Sequence, residues 1–119
     1  SDIRSLQLAK AAIQAGIISI LEAAGLTLKE IDEFIVAGVL GSCMKQKSAI
    51  DIGLFPESAS TCIHLAGNAA GKGAVIGVLD SSFASSMEKL AKEVLHIEIA
   101  QEKGFQERLM KAMDIQRWL

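Results

Sequence analysis

Residues 61–77, TCIHLAGNAAGKGAVIG, join a short apolar run to three glycines and then to an alanine-rich segment. Cys62, Ile63 and Leu65 favour a strand, and Gly67, Gly71 and Gly73 free the backbone at the turn. Asn68 is a good N-cap for a helix through Ala69, Ala70, Ala74 and Val75. A helix start of this kind offers unpaired N–H donors and about half a positive charge, so the chemistry it suggests is anion binding, with phosphate as the guest. The spacing G-x-x-x-G-x-G matches neither the dinucleotide fingerprint G-x-G-x-x-G nor a Walker loop, and no G-K-[ST] follows. The same small residues also serve simply to let a helix pack closely on a sheet.

A second strand-glycine turn precedes it. Residues 33–41, EFIVAGVLG, are a nearly continuous apolar run ended by glycine, the pattern of a central strand buried on both faces. Ligands of open α/β sheets sit beyond the carboxyl ends of the strands, so AGVLGS and AGNAAGKG are expected to wall one cleft.

The elements that must hold these turns follow from periodicity. Leu6, Ile13, Ile17, Ile20 and Leu21 recur at helical spacing and predict a long amphipathic first helix ended by Gly25, with Gly16 marking a close approach. Thr27 and Glu30 fit a capping box over residues 28–31. Residues 40–48 read as a loop and 48–52 as a short helix, stopped by Gly53 and Pro56. The helix that opens at Asn68 breaks at residues 80–82, and another resumes with Phe83, Met87, Leu90, Ala91 and Val94 on one face. LHIEIA alternates and predicts an edge strand, with Leu95, Ile97 and Ile99 inward and His96 on the solvent side. Phe105, Leu109 and Met113 mark a last helix, and Trp118 anchors the tail. Helices alternating with strands give an α/β layer architecture.

Composition narrows the function classes. A chain of 119 residues, half of them apolar, is long enough for one domain and too short for two. A net charge of −2 without a basic cluster argues against a nucleic-acid partner, and one Trp with no Tyr leaves little for base stacking. Cys43 and Cys62 have no companions at metal-ligand spacing, so no metal site is expected. Asp2 and Arg4 stand where a signal peptide would be apolar, and no uncharged run reaches membrane-span length, so the expectation is a cytoplasmic protein without membrane contact. The chain opens so directly on a helical pattern that it reads as part of something longer.

The runs DIRSLQLAKAAIQAGI, FIVAGVLG, SAIDIGLFP and LAGNAAGKGA, in that order, resemble the C-terminal part of the ATP-dependent reductive activators of corrinoid proteins. These belong to the acetate and sugar kinase, heat-shock chaperone and actin superfamily. The resemblance covers nearly the whole chain. It implies an α/β, ribonuclease H-like three-layer sheet with flanking helices, the C-terminal half of an actin-like ATPase domain, with residues 1–119 forming a single domain. It further implies that residues 36–42 hold the adenosine of ATP, Gly38 and Gly41 letting the backbone approach, with Ser42, Gly67, Asn68 and Gly71 completing the nucleotide site. The small-residue helix start at residues 67–74 would support the adenosine side rather than grip phosphate.

By the same resemblance, the phosphates and magnesium are held by earlier segments of the longer protein. A 2Fe-2S cluster sits in a domain outside this chain, and the partner is a corrinoid protein of a methyltransferase system. The chain by itself is expected to carry no catalytic residue. Residues 40–48, LGSCMKQKS, depart from the acidic, proline-bearing loop of the family and place Lys45 and Lys47 there instead. That departure, together with the long first helix, motivates the alternative of a non-catalytic docking or homodimerisation module. A small flavin or dinucleotide domain is a third reading, weakened because the only acidic residues about 20 positions after the loop, Glu88 and Glu93, fall inside a helix pattern.

Overall fold

The computed structural model describes residues 2–116 and 118. In chain order the elements are α1 (Asp2–Ala24), β1 (Phe34–Ala37), α2 (Gly38–Cys43), α3 (Gln46–Asp51), β2 (Ile63–Gly67), α4 (Ala69–Leu79), α5 (Ser81–Glu93) and α6 (Phe105–Lys111). Short 3-10 turns lie at Leu28–Glu30, Glu57–Thr61 and Ile99–Gln101. The chain divides into two compact units. Unit 1 comprises Ser1–Phe34, Met44–His64 and Glu98–Leu119, and unit 2 comprises Ile35–Cys43 and Leu65–Ile97.

Unit 1 is organised on α1, which packs against α6 and the Ile99–Gln101 turn. Its buried stripe is Lys10, Ala11, Ala15, Gly16, Ser19 and Leu21. Of the expected stripe of Leu6, Ile13, Ile17, Ile20 and Leu21, Leu21 is buried, Ile13 and Ile17 are half-buried, and Leu6 and Ile20 stay exposed. Small side chains let two helices approach closely, so the tighter contact forms on the alanine side. Gly16 is where the Ile99 side chain sits, 3.4 Å from the point a Cβ would occupy. The unit is completed by Ala49, Ile50, Leu54, Phe55, Ala59, Phe105 and Ala112, all buried, and by an edge-to-face contact of Phe34 with Phe55 at 6.2 Å between centroids.

The first helix is long and apolar enough, by length and composition, to cross a membrane. One stripe of it is buried, and it packs against α6. It closes at Gly25, with the Leu26 N–H donating to the Leu21 carbonyl at 2.9 Å. The capping box forms as read: the Thr27 N–H donates to Glu30 Oε2 at 2.8 Å, and the Thr27 amide and hydroxyl together hold the Glu30 carboxyl below the usual range.

Strands β1 and β2 pair as a two-stranded sheet, and each runs from unit 1 into unit 2. The expected strand over residues 33–41 is shorter than its apolar run. It ends at Ala37 because Gly38 takes a left-handed φ of 78°, and the remaining residues wind into α2. Nor is it buried on both faces: Val36 is buried and Ile35 is 64% exposed. The second strand starts at Ile63, after a 3-10 turn through Thr61, so Cys62 falls outside it. Residues 40–48, read as a loop, contribute to α2 and α3 instead.

The alternating LHIEIA segment forms no ladder. Residues 94–98 are irregular and Ile99 enters a 3-10 turn. Alternation states which side chains share a face and supplies no partner strand, and here the packing of Ile99 over Gly16 is what is satisfied. His96 is exposed, but so is Leu95, which the pattern placed inward.

In unit 2, α4 and α5 pack on each other through a corner at Asp80. The Asp80 carboxylate accepts from the Ser82 hydroxyl at 2.6 Å and the Ser82 N–H at 2.8 Å, which caps α5 and holds the carboxyl below its usual range. This is the break expected at residues 80–82.

Candidate nucleotide cleft

Within unit 2, β1 delivers the chain to Gly38 and β2 delivers it to Gly67, each with a positive φ, 78° and 61° respectively. Between them lies an open cleft of about 420 Å³ lined by Gly38, Val39, Ser42, Cys43 and Asn68. Of the six residues that the sequence singled out, the structure therefore gathers Gly38, Ser42 and Asn68 around one space. Gly67 adjoins it: a Cβ there would stand 3.8 Å from Ser42 Oγ. The Ser42 hydroxyl donates to the Gly38 carbonyl at 3.1 Å, which ties the first turn of α2 together and leaves the oxygen's lone pairs free to accept. Gly41 falls within α2, and its surroundings lie outside the described residues.

Asn68 caps α4 as its side chain predicts, Oδ1 accepting from the Gly71 N–H at 2.9 Å. Gly71 stands apart from the Gly38 cleft and lines a second, more apolar hollow with Asn68, Lys72, Val75 and Ile76. Its lack of a side chain serves the cap, since a Cβ would come within 2.9 Å of Asn68 Cγ. Gly71→Ala should accordingly trade about 1 kcal/mol of lost cap against about 1 kcal/mol of helix propensity gained. The expected thermal midpoint is nearly unchanged, and a loss above about 2 kcal/mol in unfolding experiments would mean that Gly71 faces something more than its own cap.

The two lysines of the departing segment differ in surroundings. Lys47 Nζ sits 2.7 Å from Asp51 Oδ2, an i,i+4 pair on an exposed helix face, whereas Lys45 is the residue before α3. Asp51, the partner of Lys47, is followed by Ile52 and by Gly53, which is buried in unit 1 beside the Gln116 carbonyl. Val39 and Cys43, one helical turn apart on α2, line the cleft without having been singled out. The signal was present in their i,i+4 spacing but was hidden by reading these residues as strand and loop.

The comparisons with known proteins bear on what such a cleft belongs to. Residues 1–118 match the family described as the C-terminal domain of RACo, the ASKHA domain. The chain belongs to that family. It is similar to the corrinoid activation enzyme RamQ of Eubacterium limosum, 33% identical over 109 residues that cover 92% of this chain and 18% of RamQ. A solved structure titled a reductive activator for corrinoid, iron-sulfur protein superposes with a TM-score of 0.89 at 32% identity, covering 98% of this chain and 18% of that one. The chain thus spans a little under a fifth of the length of these relatives. The ASKHA-type α/β fold expected from the sequence is the fold observed.

Proposed function

We propose that this chain is the adenosine-side nucleotide-binding part of an ATP-dependent, iron–sulfur-linked activator that returns cobalt(II) corrinoid proteins to cobalt(I) in the cytoplasm. The observation that carries the reading is the convergence of two strand ends on one cleft with no Cβ at Gly38 or Gly67. Backbone can approach a flat ligand closely there, and about 420 Å³ lies within the usual size of small-molecule sites. Gly38 and Gly67 would admit the nucleoside, Ser42 and the Asn68 amide would offer hydrogen bonds, and Val39 would supply an apolar wall. In the longer protein, ATP binding or hydrolysis would supply the energy, with magnesium and phosphates held by segments outside this chain.

A 2Fe-2S cluster does not fit the residues present. Such clusters are held by four thiolates, and this chain has two cysteines, Cys43 and Cys62. The cluster is therefore assigned to another domain of the longer protein. The likeness to a corrinoid activation enzyme and to a reductive activator supports a corrinoid protein as partner.

Titrating the intact protein with a non-hydrolysable ATP analogue tests the proposal. Binding is expected, and Val39→Trp, which fills the cleft from an exposed helix position, should weaken it about tenfold or more (about 1.4 kcal/mol) with an unchanged thermal midpoint. Absence of binding by the unaltered protein would sink the nucleotide role.

A further inference from the structure

We infer that the cleft reads the nucleobase at its 6-position, Ser42 Oγ accepting from the amino group of adenine and the Asn68 amide donating to the ring nitrogen beside it. The inference rests on the nucleotide reading above and adds which atoms tell adenine from a base that carries an oxygen at that position.

Both polar side chains of the cleft have their hydrogen-bond polarity set from within the fold. The Gly38 carbonyl can only accept, so the one hydroxyl hydrogen of Ser42 is spent on it at 3.1 Å, and a ligand meets Ser42 Oγ as an acceptor. The Gly71 N–H can only donate, so the Asn68 atom 2.9 Å from it is the carbonyl oxygen. What Asn68 has left to offer the cleft is an NH2 group, which donates and cannot accept. Turning either group around breaks a bond that closes a helix start, the first turn of α2 or the cap of α4. Gly67, whose Cβ would stand 3.8 Å from Ser42 Oγ, leaves that acceptor uncovered. Val39 and Cys43 line the same space without a charge, as suits the face of a flat ring.

One fixed acceptor and one fixed donor select among ligands. A ribose hydroxyl is donor and acceptor at once and satisfies either group, so it is not discriminated. A base edge is less accommodating. Adenine carries an amino donor at position 6 with an acceptor nitrogen next to it, which complements the pair, whereas guanine and hypoxanthine carry a carbonyl oxygen there. That oxygen would set lone pair against lone pair at Ser42 Oγ, the kind of mismatch by which a polar site rejects a near-isostere.

The test is calorimetric titration of the intact protein with the β,γ-imido analogues of ATP and of inosine triphosphate, whose bases differ at position 6. The unaltered protein is expected to bind the adenine analogue about tenfold or more tightly, and Ser42→Ala to bring the two within about twofold. Asn68→Ser keeps a good helix cap and removes the amide donor, so it should weaken the adenine analogue about tenfold at an unchanged thermal midpoint. Equal affinities in the unaltered protein would overturn the inference and leave the nucleotide site standing. A Ser42→Ala protein that loses both analogues equally would overturn it as well, because the hydroxyl would then meet the shared sugar. Binding of neither analogue removes the nucleotide site and the base reading together.

Discussion

Replacing Gly53 by alanine is expected to destabilise unit 1 by about 3 kcal/mol or more, lowering the thermal midpoint by roughly 10–15 °C. Gly53 is buried, and its φ of 78° is a conformation that costs a residue with a Cβ about 1–2 kcal/mol. The added carbon would also overlap the Gln116 carbonyl oxygen and come 3.2 Å from Lys10 Cε. Backbone, unlike a flexible side-chain tip, has nowhere cheap to go, so the C-terminal segment must lift. With it go the hydrogen bonds that seat that segment, among them the Glu57 N–H to the Trp118 carbonyl at 2.9 Å. Thermal unfolding followed by circular dichroism checks this, and a loss under 1 kcal/mol would show that the tail yields freely.

Lys10→Met should cost about 2–4 kcal/mol, for a different reason. Lys10 is only 2% exposed, and its ammonium donates to the Ala112 carbonyl at 2.7 Å and to the Asp114 carbonyl. Methionine fills similar space but removes both hydrogen bonds and leaves the buried Ala112 carbonyl without its donor, and a buried unsatisfied carbonyl costs about 1–3 kcal/mol. The lysine also sets a pH signature. Burial pushes its pKa below 10.5, with the Asp114 charge partly opposing the shift. Between the lowered folded value and 10.5 the unfolded chain binds more protons than the folded one, so this group's contribution to stability rises with pH across that window. The neutral amine keeps two N–H donors, enough for both carbonyls. Urea unfolding at neutral and alkaline pH should show this rise in the unaltered protein and its loss in Lys10→Met. Equal pH slopes in both would refute it.

What the sequence disclosed was local. The Thr27–Glu30 box, the Asn68 cap and the Asp80 break are side-chain-to-backbone bonds across two or three residues, and all three form. The convergence of the two glycine turns on one cleft was also legible, because strand ends in such folds point the same way. Contacts between distant residues were hidden. Nothing near Lys10 in the sequence announces that its partners are Ala112 and Asp114, and a lysine on a helix is ordinarily a surface residue. Gly53 read only as a helix stop because Gln116 is far along the chain. The misread strands share one cause: 33–41 and LHIEIA are apolar enough to extend, but a glycine at positive φ ends the first and helix packing claims the second.

The chain crosses between its two units four times, after Phe34, Cys43, His64 and Ile97. Unit 2 is thus a pair of excursions from unit 1 and has no terminus of its own. A single proteolytic cut at any of these crossings leaves the units covalently joined, so a nicked protein would still migrate whole until unfolded. No contiguous truncation removes unit 2 alone. The cleft residues travel in both excursions, Gly38 and Ser42 in the first and Gly67 and Asn68 in the second, so the cleft can be transferred whole only by moving two separate stretches of the gene together.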